Sequence, residues 1–347
     1  MRGVVGTTAS IGIDVGGTKT VFLLLDADFE VITELKERTP KRKKDFTAFM
    51  INSVKSLTKT ATKKAMEVSA VGVGCAGSID SEKGIVTIAP NLPELNGLSF
   101  VRILGKATVA PVLLHNDVHA ALYGELRLGA AVGAKHVVGV FIGTGIGGAI
   151  VIDGKLYLGA SGNAGDIGNY LLQPYGPLAG SPRQGVLDDV ASRTAIAADA
   201  AALAIKQWAP SLLQKTGTDL RNIRSGDLAK AISAGDRAIE QLVRGRARVI
   251  GIVLSNIIDF INPEMVLLGG GLTEALPDIM REEVTHGIEE HTSSNARRVL
   301  RVVTTKLEGH AVAIGAAKLA VEAASTTRPR EKQGTGERQS GSKRHRK

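Results

Sequence analysis

The segment from Asp14 to Lys19 has residue types suited to holding a phosphate. Gly16 and Gly17 stand where a turn is expected, and glycines let backbone N–H groups approach and surround an anion. Thr18 adds a hydroxyl, and Lys19 adds a positive charge. Asp14, at the end of a β-rich run, is a carboxylate that can hold hydrated Mg²⁺. The alternative interpretation is an ordinary hairpin with a Gly-Gly turn.

A second glycine-rich segment lies about 125 residues later and reads Gly143-Thr144-Gly145-Ile146-Gly147-Gly148. Its glycine spacing resembles a dinucleotide fingerprint, but that motif must pass from a strand into a helix. Here a β-rich run follows, and no Gly-Lys-Ser/Thr sequence follows to make a P-loop. Two phosphate-type hairpins facing each other fit a nucleotide held between two domains.

Polar residues follow the buried run that ends at His115. Ligands gather at the C-terminal ends of strands in α/β sheets, so Asn116 and Asp117 are candidate site residues. Asp117 could accept a proton from a substrate hydroxyl as that hydroxyl attacks a phosphoryl group. The alternative is that Asn116 or Asp117 only caps the helix that follows.

A glycine-rich stretch at 162–169 contains Asp166 and Asn169, and Asp188 follows shortly after. Carboxylates and amides hydrogen-bond hydroxyl groups, so these side chains suit a polyhydroxylated ligand. A plain loop is the alternative. Asn91 stands between two prolines, and a turn is its default interpretation.

The chain must position these residues on regular elements. β-rich runs on either side of the glycines predict hairpins at 10–26 and 137–154, and their similarity suggests an internal duplication. The basic run Lys41–Lys44 is interpreted as a solvated loop. The other segments predict an exposed helix at 45–67, strands at 69–74 and 109–115, a helix at 118–128, mostly helix at 186–262, a strand within 265–271 and a helix at 311–324.

Composition indicates a globular chain of 347 residues with 41 glycines and 44% hydrophobic residues. A single cysteine, Cys75, excludes an intramolecular disulfide and a cysteine-rich zinc site. Aromatic residues make up only 3%, which argues against stacking surfaces for single-stranded nucleic acid. The sequence shows neither a signal-peptide pattern nor a membrane-spanning run, so we expect a cytoplasmic protein.

The net charge of +9 is concentrated in two places. Residues 326–347 contribute +6 and residues 36–45 contribute +4, so the other 315 residues sum to −1. The terminal stretch is polar and aperiodic, which predicts disorder. A nucleic-acid partner is therefore not expected for the near-neutral body, although the basic tail could bind RNA or another polyanion as a side activity.

Taken together, the segments resemble the ROK family of sugar kinases and sugar-responsive repressors, within the actin/hexokinase-like superfamily. The resemblance covers about residues 10–320, and six pieces in the right order carry it. They are DVGGTKT, APNLP, HND, IGTGIGGAIVIDGKLYLGASGNAGDIGN, GVLDDVAS and INPEMVLLGGG.

This resemblance implies an α/β, two-domain actin/hexokinase-like (ribonuclease H-like) ATPase fold with a cleft between the domains. We expect an N-terminal domain at 1–115, a C-terminal domain at 116–310, a helix at 311–325 that returns to the first domain, and the basic tail at 326–347.

The resemblance also implies roles for individual residues. The first phosphate loop would consist of Asp14, Gly16, Gly17 and Thr18, with Lys19 beside them. The second phosphate loop would consist of Gly143, Thr144, Gly145, Gly147 and Gly148. The adenosine of ATP would be approached by Gly269, Gly270 and Gly271. Asn91 and Asn116 would lie at the sugar. Asp117 would be the general base for a sugar hydroxyl, while Mg²⁺ screens the phosphates.

This sequence departs from the family pattern at the sugar site. Asp166 and Asn169 stand where the family has glutamate and histidine, and Asp188 stands where it has another glutamate. Each shortened acid loses roughly 1.5 Å of reach. The family's zinc cysteines are not present between Asn169 and Val186, so we expect no zinc site. We expect phosphoryl transfer to persist and the sugar preference to differ.

The leading hypothesis is therefore an ATP- and Mg²⁺-dependent hexose kinase, glucokinase-like. A non-catalytic sugar-binding or regulatory protein is the alternative. The family's repressors carry a DNA-binding helix-turn-helix ahead of the first glycine turn, and only about ten residues precede Ile11 here, so we expect no DNA-binding domain. By resemblance, we expect a homo-oligomer, in the form of a dimer.

Overall fold

The structure is a computed structural model that describes residues 7–174 and 184–327. In the first part of the chain, the strands are β1 (Thr7–Val15), β2 (Lys19–Leu25), β3 (Val31–Arg38), β4 (Met66–Cys75), β5 (Ser78–Asp80), β6 (Ile85–Ile88) and β7 (Val112–Asn116). In the second part they are β8 (Val137–Ile142), β9 (Ile146–Ile152), β10 (Lys155–Tyr157), β11 (Met265–Gly269) and β12 (Arg301–Thr304).

The helices connect and cover these strands. They are α1 (Lys43–Lys63), α2 (Phe100–Leu104), α3 (Asp117–Leu128), α4 (Leu187–Ala191), α5 (Arg193–Ile205), α6 (Pro210–Thr216), α7 (Ser225–Ser233), α8 (Arg237–Ile261), α9 (Gly271–Ala275), α10 (Pro277–His291), α11 (Ser294–Arg297) and α12 (Ala311–Thr327). Short 3₁₀ turns occur at Pro93–Leu95, Ile167–Asn169, Leu220–Asn222 and Glu308–His310.

Two five-stranded sheets have the same topology. The first runs β3-β2-β1-β4-β7, and the second runs β10-β9-β8-β11-β12. In each, an antiparallel meander of three strands is extended by two parallel strands. This repeated order agrees with the duplication that the two glycine hairpins suggest, and both predicted hairpins are present as β1–β2 and β8–β9.

The first sheet is covered on both faces, which explains why its inner strands are almost continuously apolar. Phe22 and Leu24 of β2 pack in one cluster with Phe46 and Met50 of α1. Their neighbour Leu23 points to the other face and packs with residues of α12. Alternate residues of one strand therefore bury against different helices.

The second sheet is covered in the same way. Val138 and Val140 of β8 belong to a core with the long helix α8. Val137 packs on the other face with Leu122 of α3. Because α3 begins directly after β7 of the first sheet and packs on the second sheet, it connects the two halves of the molecule.

Helix α12 approaches the first sheet so closely that only glycine fits beneath it. A Cβ atom at Gly12 would lie 2.0 Å from the Ala313 carbonyl oxygen, and one at Gly72 would lie 1.9 Å from that of Ala316. Both distances are far shorter than real atoms allow. Gly12 and Gly72 therefore allow the close packing of α12 on the sheet.

Two sequence expectations about α1 are wrong. The basic run is not wholly a loop, because α1 begins at Lys43. The helix is also not simply exposed, since Phe46, Met50, Leu57 and other apolar residues on one face are buried. Because these apolar residues recur at helical spacing, they form one buried face, although the helix as a whole is rich in lysine and threonine.

The basic tail falls almost entirely outside the described residues, because α12 ends at Thr327. In the part of the chain that the structure covers, none of the helices has both the length and the apolar character needed to cross a membrane.

Candidate functional site

The first glycine turn joins β1 to β2 and is held by residues that follow β3. The N–H of Gly16 donates to the carbonyl of Lys19 across the turn at 3.1 Å. Thr39 donates its hydroxyl to the Gly16 carbonyl at 2.7 Å and its N–H to the Thr18 carbonyl at 3.0 Å. The Lys41 ammonium donates to the carbonyl of Gly17. These contacts engage the turn's carbonyl groups and fix its shape.

Asp14 and Asp117 lie on either side of Gly74, at the edge of the first sheet where the parallel strands end. Asp14 is opposite Gly74 in the β1–β4 register. The Cα atom of Asp117 lies 3.5 Å from the position that a Gly74 Cβ would occupy. A Cβ at position 74 would also lie 2.4 Å from a Val312 methyl group of α12, so Gly74 leaves room for α12 between the two aspartates' strands.

The electrostatics of this pair favour protonation or a bound cation. Burial, assisted by the negative charge of Asp117, raises the pKa of Asp14 to about 7, and the positive charge of Lys36 opposes the shift. Burial also raises the pKa of Asp117, although a hydrogen bond from the Val118 N–H partly offsets it. Two half-buried carboxyl groups with so little positive charge nearby suit a divalent cation with oxygen ligands.

Asn116 caps helix α3. Its side-chain oxygen accepts the N–H groups of Val118 at 2.9 Å and His119 at 3.1 Å, so the capping interpretation is confirmed. Its Nδ2 atom donates to the Gly77 carbonyl at 3.1 Å. One Nδ2 hydrogen is not accounted for by this bond. A role for Asn116 at a sugar stays a prediction.

Asn91 lies against the first glycine turn. A Cβ atom at Gly17 would be only 3.0 Å from the Asn91 Cβ, and the Asn91 side chain is exposed. The turn and Asn91 therefore belong to the same surface, as the predicted site requires.

The second glycine turn joins β8 to β9, so a strand follows it as the sequence indicated. The Gly143 N–H donates to the Gly145 carbonyl at 2.8 Å. Gly147 lies against the first turn of α3, since its Cβ would be 2.6 Å from a Val118 methyl group. Val118 directly follows Asp117, and this contact brings the second turn next to the candidate base.

The Gly269–Gly271 segment adjoins that turn. Gly269 pairs with Phe141 at the end of β8. Gly270 has a φ of +84°, and a Cβ there would lie 2.6 Å from the backbone nitrogen of Ile142. Only glycine permits this conformation and this approach. The two segments predicted to hold a nucleotide are thus neighbours.

Asp188 interacts with the second glycine turn. Its Oδ1 atom accepts the Ile146 N–H, and a Cβ at Gly145 would be 2.8 Å from the same oxygen. Burial raises the pKa of Asp188, the Ile146 hydrogen bond opposes this, and the charges of Asp189 and Asp166 add to it. One carboxylate oxygen is already engaged, which the sequence did not indicate.

Asp166 and Asn169 form a pair, because the Asn169 amide donates to the Asp166 carboxylate. Both side chains are exposed and line a cavity of about 490 Å³ with Phe260, which is 91% exposed near the end of α8. The Asp166 charge acts on Asp188, so these residues share one region. A hydrogen bond from His119 of α3 to the Ala164 carbonyl, at 3.3 Å, connects their loop to the Asp117 helix.

Sequence reasoning missed two cations at the glycine turns. Lys41 contacts the first turn, as described, and Arg193 donates to the Thr144 hydroxyl of the second turn at 3.2 Å. The available signal for Arg193 was its position directly after Ser192, a capping residue type. A cation in the first turn of a helix opposes the helix dipole and calls for an explanation.

A cluster of possible metal ligands elsewhere does not suit a metal. Glu282, Glu283 and His286 are close together on α10. However, Arg244 and Arg248 both form ion pairs with Glu283, at 2.9 and 3.0 Å. These guanidinium groups occupy the carboxylate that a cation would need, so the cluster is an ion-pair network.

Comparisons with known proteins agree with this architecture. The ROK family model matches residues 10–323. The chain is 30% identical over 319 residues to glucokinase from Thermotoga maritima, covering 90% of this chain and 97% of that protein. The structure of a ROK family glucokinase from Streptomyces griseus with glucose and AMPPNP has a TM-score of 0.79 at 28% identity, covering 90% of this chain and 99% of the other.

A regulator is also similar. The structure of a ROK family transcriptional regulator, a homologue of the Escherichia coli protein Mlc, has a TM-score of 0.81 at 25% identity. That match covers 92% of this chain and 79% of the regulator. The fold is thus shared by a glucokinase and a transcriptional regulator.

Proposed function

Because the chain belongs to the ROK family and has its two-domain actin/hexokinase-like fold, we propose that it is an ATP-dependent kinase of a sugar hydroxyl, glucokinase-like. The observation that carries this proposal is the position of Asp117. It lies beside Asp14 at one sheet edge and, through Val118, against the second glycine turn. A proton acceptor next to two glycine turns suits transfer of a phosphoryl group to a hydroxyl.

Asp117 would act as the general base. Burial raises its pKa, so its carboxylate is a stronger base than an ordinary exposed aspartate. The carboxylate would take the proton of the attacking hydroxyl, most simply the one on carbon 6 of a hexose. Helix α3 holds Asp117 at its N-terminus, where the Asn116 cap fixes the backbone.

The glycine turns would hold the nucleotide phosphates, with Thr18 and Lys19 at the first turn, Gly143 to Gly148 at the second, and Gly269 to Gly271 nearest the adenosine. Asp14 would hold hydrated Mg²⁺, which supplies positive charge against the phosphate oxygens. The raised pKa of Asp14 supports this fit, because a cation would relieve the repulsion from Asp117.

The sugar would lie near Asn91, Asn116 and Asp117, with Asp166, Asn169 and Asp188 contributing from the second half of the chain. Asp188 already accepts the Ile146 N–H, and Asp166 bonds Asn169. These internal bonds leave fewer free acceptors than three separate polar side chains would. Together with the residue differences from the family pattern at these three positions, these bonds lead us to expect a sugar preference different from that of glucokinases.

The same internal bonds favour a second candidate, a non-catalytic sugar-binding or regulatory protein. In this alternative, the acids around the second turn would be structural and the protein would bind sugar without consuming ATP. The similar regulator makes it a real competitor.

A panel of hexoses, hexosamines and N-acetylhexosamines tests the proposal, with ATP and with polyphosphate as phosphoryl donors. The kinase predicts phosphorylation of at least one sugar. Sugar binding by calorimetry without turnover on any member would support the alternative. The same preparation would show by light scattering whether the expected dimer forms.

A further inference from the structure

Arg193 and its neighbour hold the second glycine turn by three hydrogen bonds. The Arg193 N–H donates to the Gly143 carbonyl at 3.0 Å, and its Nη2 atom donates to the Thr144 hydroxyl oxygen at 3.2 Å. The Thr194 hydroxyl donates to the Thr144 carbonyl at 2.7 Å. The start of α5 thus fixes both the backbone and the side chain of Thr144.

The bond to Thr144 fixes the direction of a proton. A guanidinium group only donates hydrogen bonds, so the Thr144 oxygen must be the acceptor. The hydroxyl's own hydrogen is then left to point at another acceptor. Thr144 is exposed, so that acceptor can come from a ligand.

Arg193 has no compensating negative charge among the described residues. Its other hydrogen bond goes to the Ile223 carbonyl at 3.2 Å, and none of the ion pairs in residues 7–174 and 184–327 includes it. Burial lowers its pKa, and the neighbouring charge of Arg224 lowers it further. Two adjacent guanidinium groups, one of them half-buried at a helix start, repel each other until an anion lies between or beside them.

The segment whose Ile223 carbonyl accepts a hydrogen bond from Arg193 also approaches the Gly269–Gly271 segment. Ile223 and Arg224 lead into Ser225, whose hydroxyl oxygen lies 3.7 Å from the position of a Gly271 Cβ. Arg193 therefore lies between the second glycine turn and the segment next to Gly269–Gly271.

We propose that Arg193 is a positioning residue for the phosphoryl donor: it holds Thr144 so that its hydroxyl donates to a terminal phosphate, and with Arg224 it supplies positive charge there. This inference rests on the proposed function. It adds a pair of cations to a site in which the sequence indicated mainly glycine amides and Mg²⁺.

Calorimetric binding of ATP, ADP and AMP, without sugar, tests this role. Arg193→Gln keeps a hydrogen-bond donor but removes the charge, and Arg193→Lys keeps the charge but loses the planar fork. Arg221→Gln is the matched control, because Arg221 is an exposed cation in the same region that pairs with Asp219. All the proteins are compared at the same ionic strength.

We expect Arg193→Gln to weaken ATP binding by about tenfold, because it removes a positive charge beside the terminal phosphates. AMP binding should change less than about twofold, because AMP lacks the terminal phosphates. Arg193→Lys should recover part of the ATP affinity. The combined variant Thr144→Val with Arg193→Gln should weaken ATP binding by less than the product of the two single effects, because Arg193 acts in part through the Thr144 hydroxyl.

Equal weakening of ATP and AMP, or unchanged ATP binding, would overturn the role of Arg193. If Arg193→Gln does not fold, Arg193→Lys decides: an ATP affinity equal to wild type, with Thr144→Val also silent, would count against the proposal. Failure of the proposed kinase function gives a different result. If Arg193→Gln weakens the binding of ATP more than that of AMP, but the wild-type protein phosphorylates no sugar, the role of Arg193 stands and the kinase proposal is wrong.

Discussion

Asp117 is the residue on which the proposed chemistry depends. Its burial gives it a raised pKa, and a general base works only when it is deprotonated. Acidification therefore removes the active form at a higher pH than for an ordinary aspartate, whose pKa is 3.8. We expect kcat/KM for the preferred sugar to fall on the acidic side with a midpoint above that value. A pH–rate profile with saturating Mg²⁺ measures it, and a flat profile down to pH 4 would be inconsistent with the assignment.

Asp14 predicts a pH dependence of stability. Its folded pKa of about 7 exceeds the ordinary value of 3.8, so the folded state retains a proton that the unfolded state loses. The stability associated with this proton is present below pH 4 and is lost as the pH rises to about 7. In metal-free buffer, Asp14→Asn should therefore stabilise the protein more at pH 8 than at pH 4.5, by roughly 3 kcal/mol.

Denaturant unfolding at the two pH values measures that difference. Asp80→Asn is the control, because Lys83 lowers the pKa of this exposed carboxyl instead of raising it. An Asp14→Asn effect that is the same at both pH values would contradict the raised pKa.

The altered sugar residues make a separate prediction. The paired change Asp166→Glu and Asn169→His lengthens one acid and restores an imidazole, which breaks the present Asp166–Asn169 bond. We expect the ratio of kcat/KM values between glucose and the wild-type sugar to shift toward glucose by about tenfold, because unpaired hydroxyl contacts discriminate strongly. Asp28→Glu, an exposed acid lengthened in the same way, should leave the ratio unchanged. An unchanged ratio in the double variant would remove these residues from the sugar site.

At the scale of elements, α12 packs closely on β1 and β4. Gly12→Ala would place a methyl group 2.0 Å from the Ala313 carbonyl oxygen, where only a backbone shift can relieve the clash. We expect a loss of about 3 kcal/mol or more in unfolding free energy. Gly245→Ala is the matched control, because this exposed position in α8 has open space and alanine favours helix by up to about 1 kcal/mol. We expect Gly12→Ala to lower the melting temperature and Gly245→Ala to raise it. An equal decrease in melting temperature for both variants would contradict this packing.

The elements were largely predictable from sequence where the pattern was strong. The two glycine hairpins and helix α3 are present because β-rich runs and a helical pattern flank clear turn and cap residues. The exposure of helix α1 was not predictable from its composition, which is rich in lysine and threonine. Its buried apolar residues are recognisable only by their helical spacing.

The site was predictable as a set of residues but not as a set of contacts. The sequence places Asp14 at the end of one predicted strand and Asp117 just after another. In the structure they lie on either side of β4, because parallel strands end at the same edge of the sheet. The sequence did not indicate that Asp188 would bond the Ile146 N–H, nor that Arg193 would reach Thr144. Those contacts join residues more than 40 positions apart, and no local pattern encodes such a pairing.

At the scale of the whole molecule, the two sheets of identical strand order form two similar halves, with α3 and α12 linking them. We propose that the domains are residues 1–115 and 116–310, with α12 returning to the first. Closure of the two domains over sugar and nucleotide would exclude water, which competes as a phosphoryl acceptor. The net charge is not spread over the molecule, because residues 36–45 and 326–347 carry +4 and +6 and the other 315 residues sum to −1. Lys41, from the first of these segments, contacts the first glycine turn.

The most direct test of the central claim is a comparison of sugar phosphorylation by the wild-type protein and by Asp117→Asn, with ATP and Mg²⁺. Asn is nearly isosteric but cannot accept the hydroxyl proton. The account predicts a kcat lower by about 10²–10⁴-fold in Asp117→Asn, with sugar and ATP affinities within about threefold of wild type. Turnover in Asp117→Asn equal to wild type, or no turnover by the wild-type protein on any sugar of the panel, would contradict it.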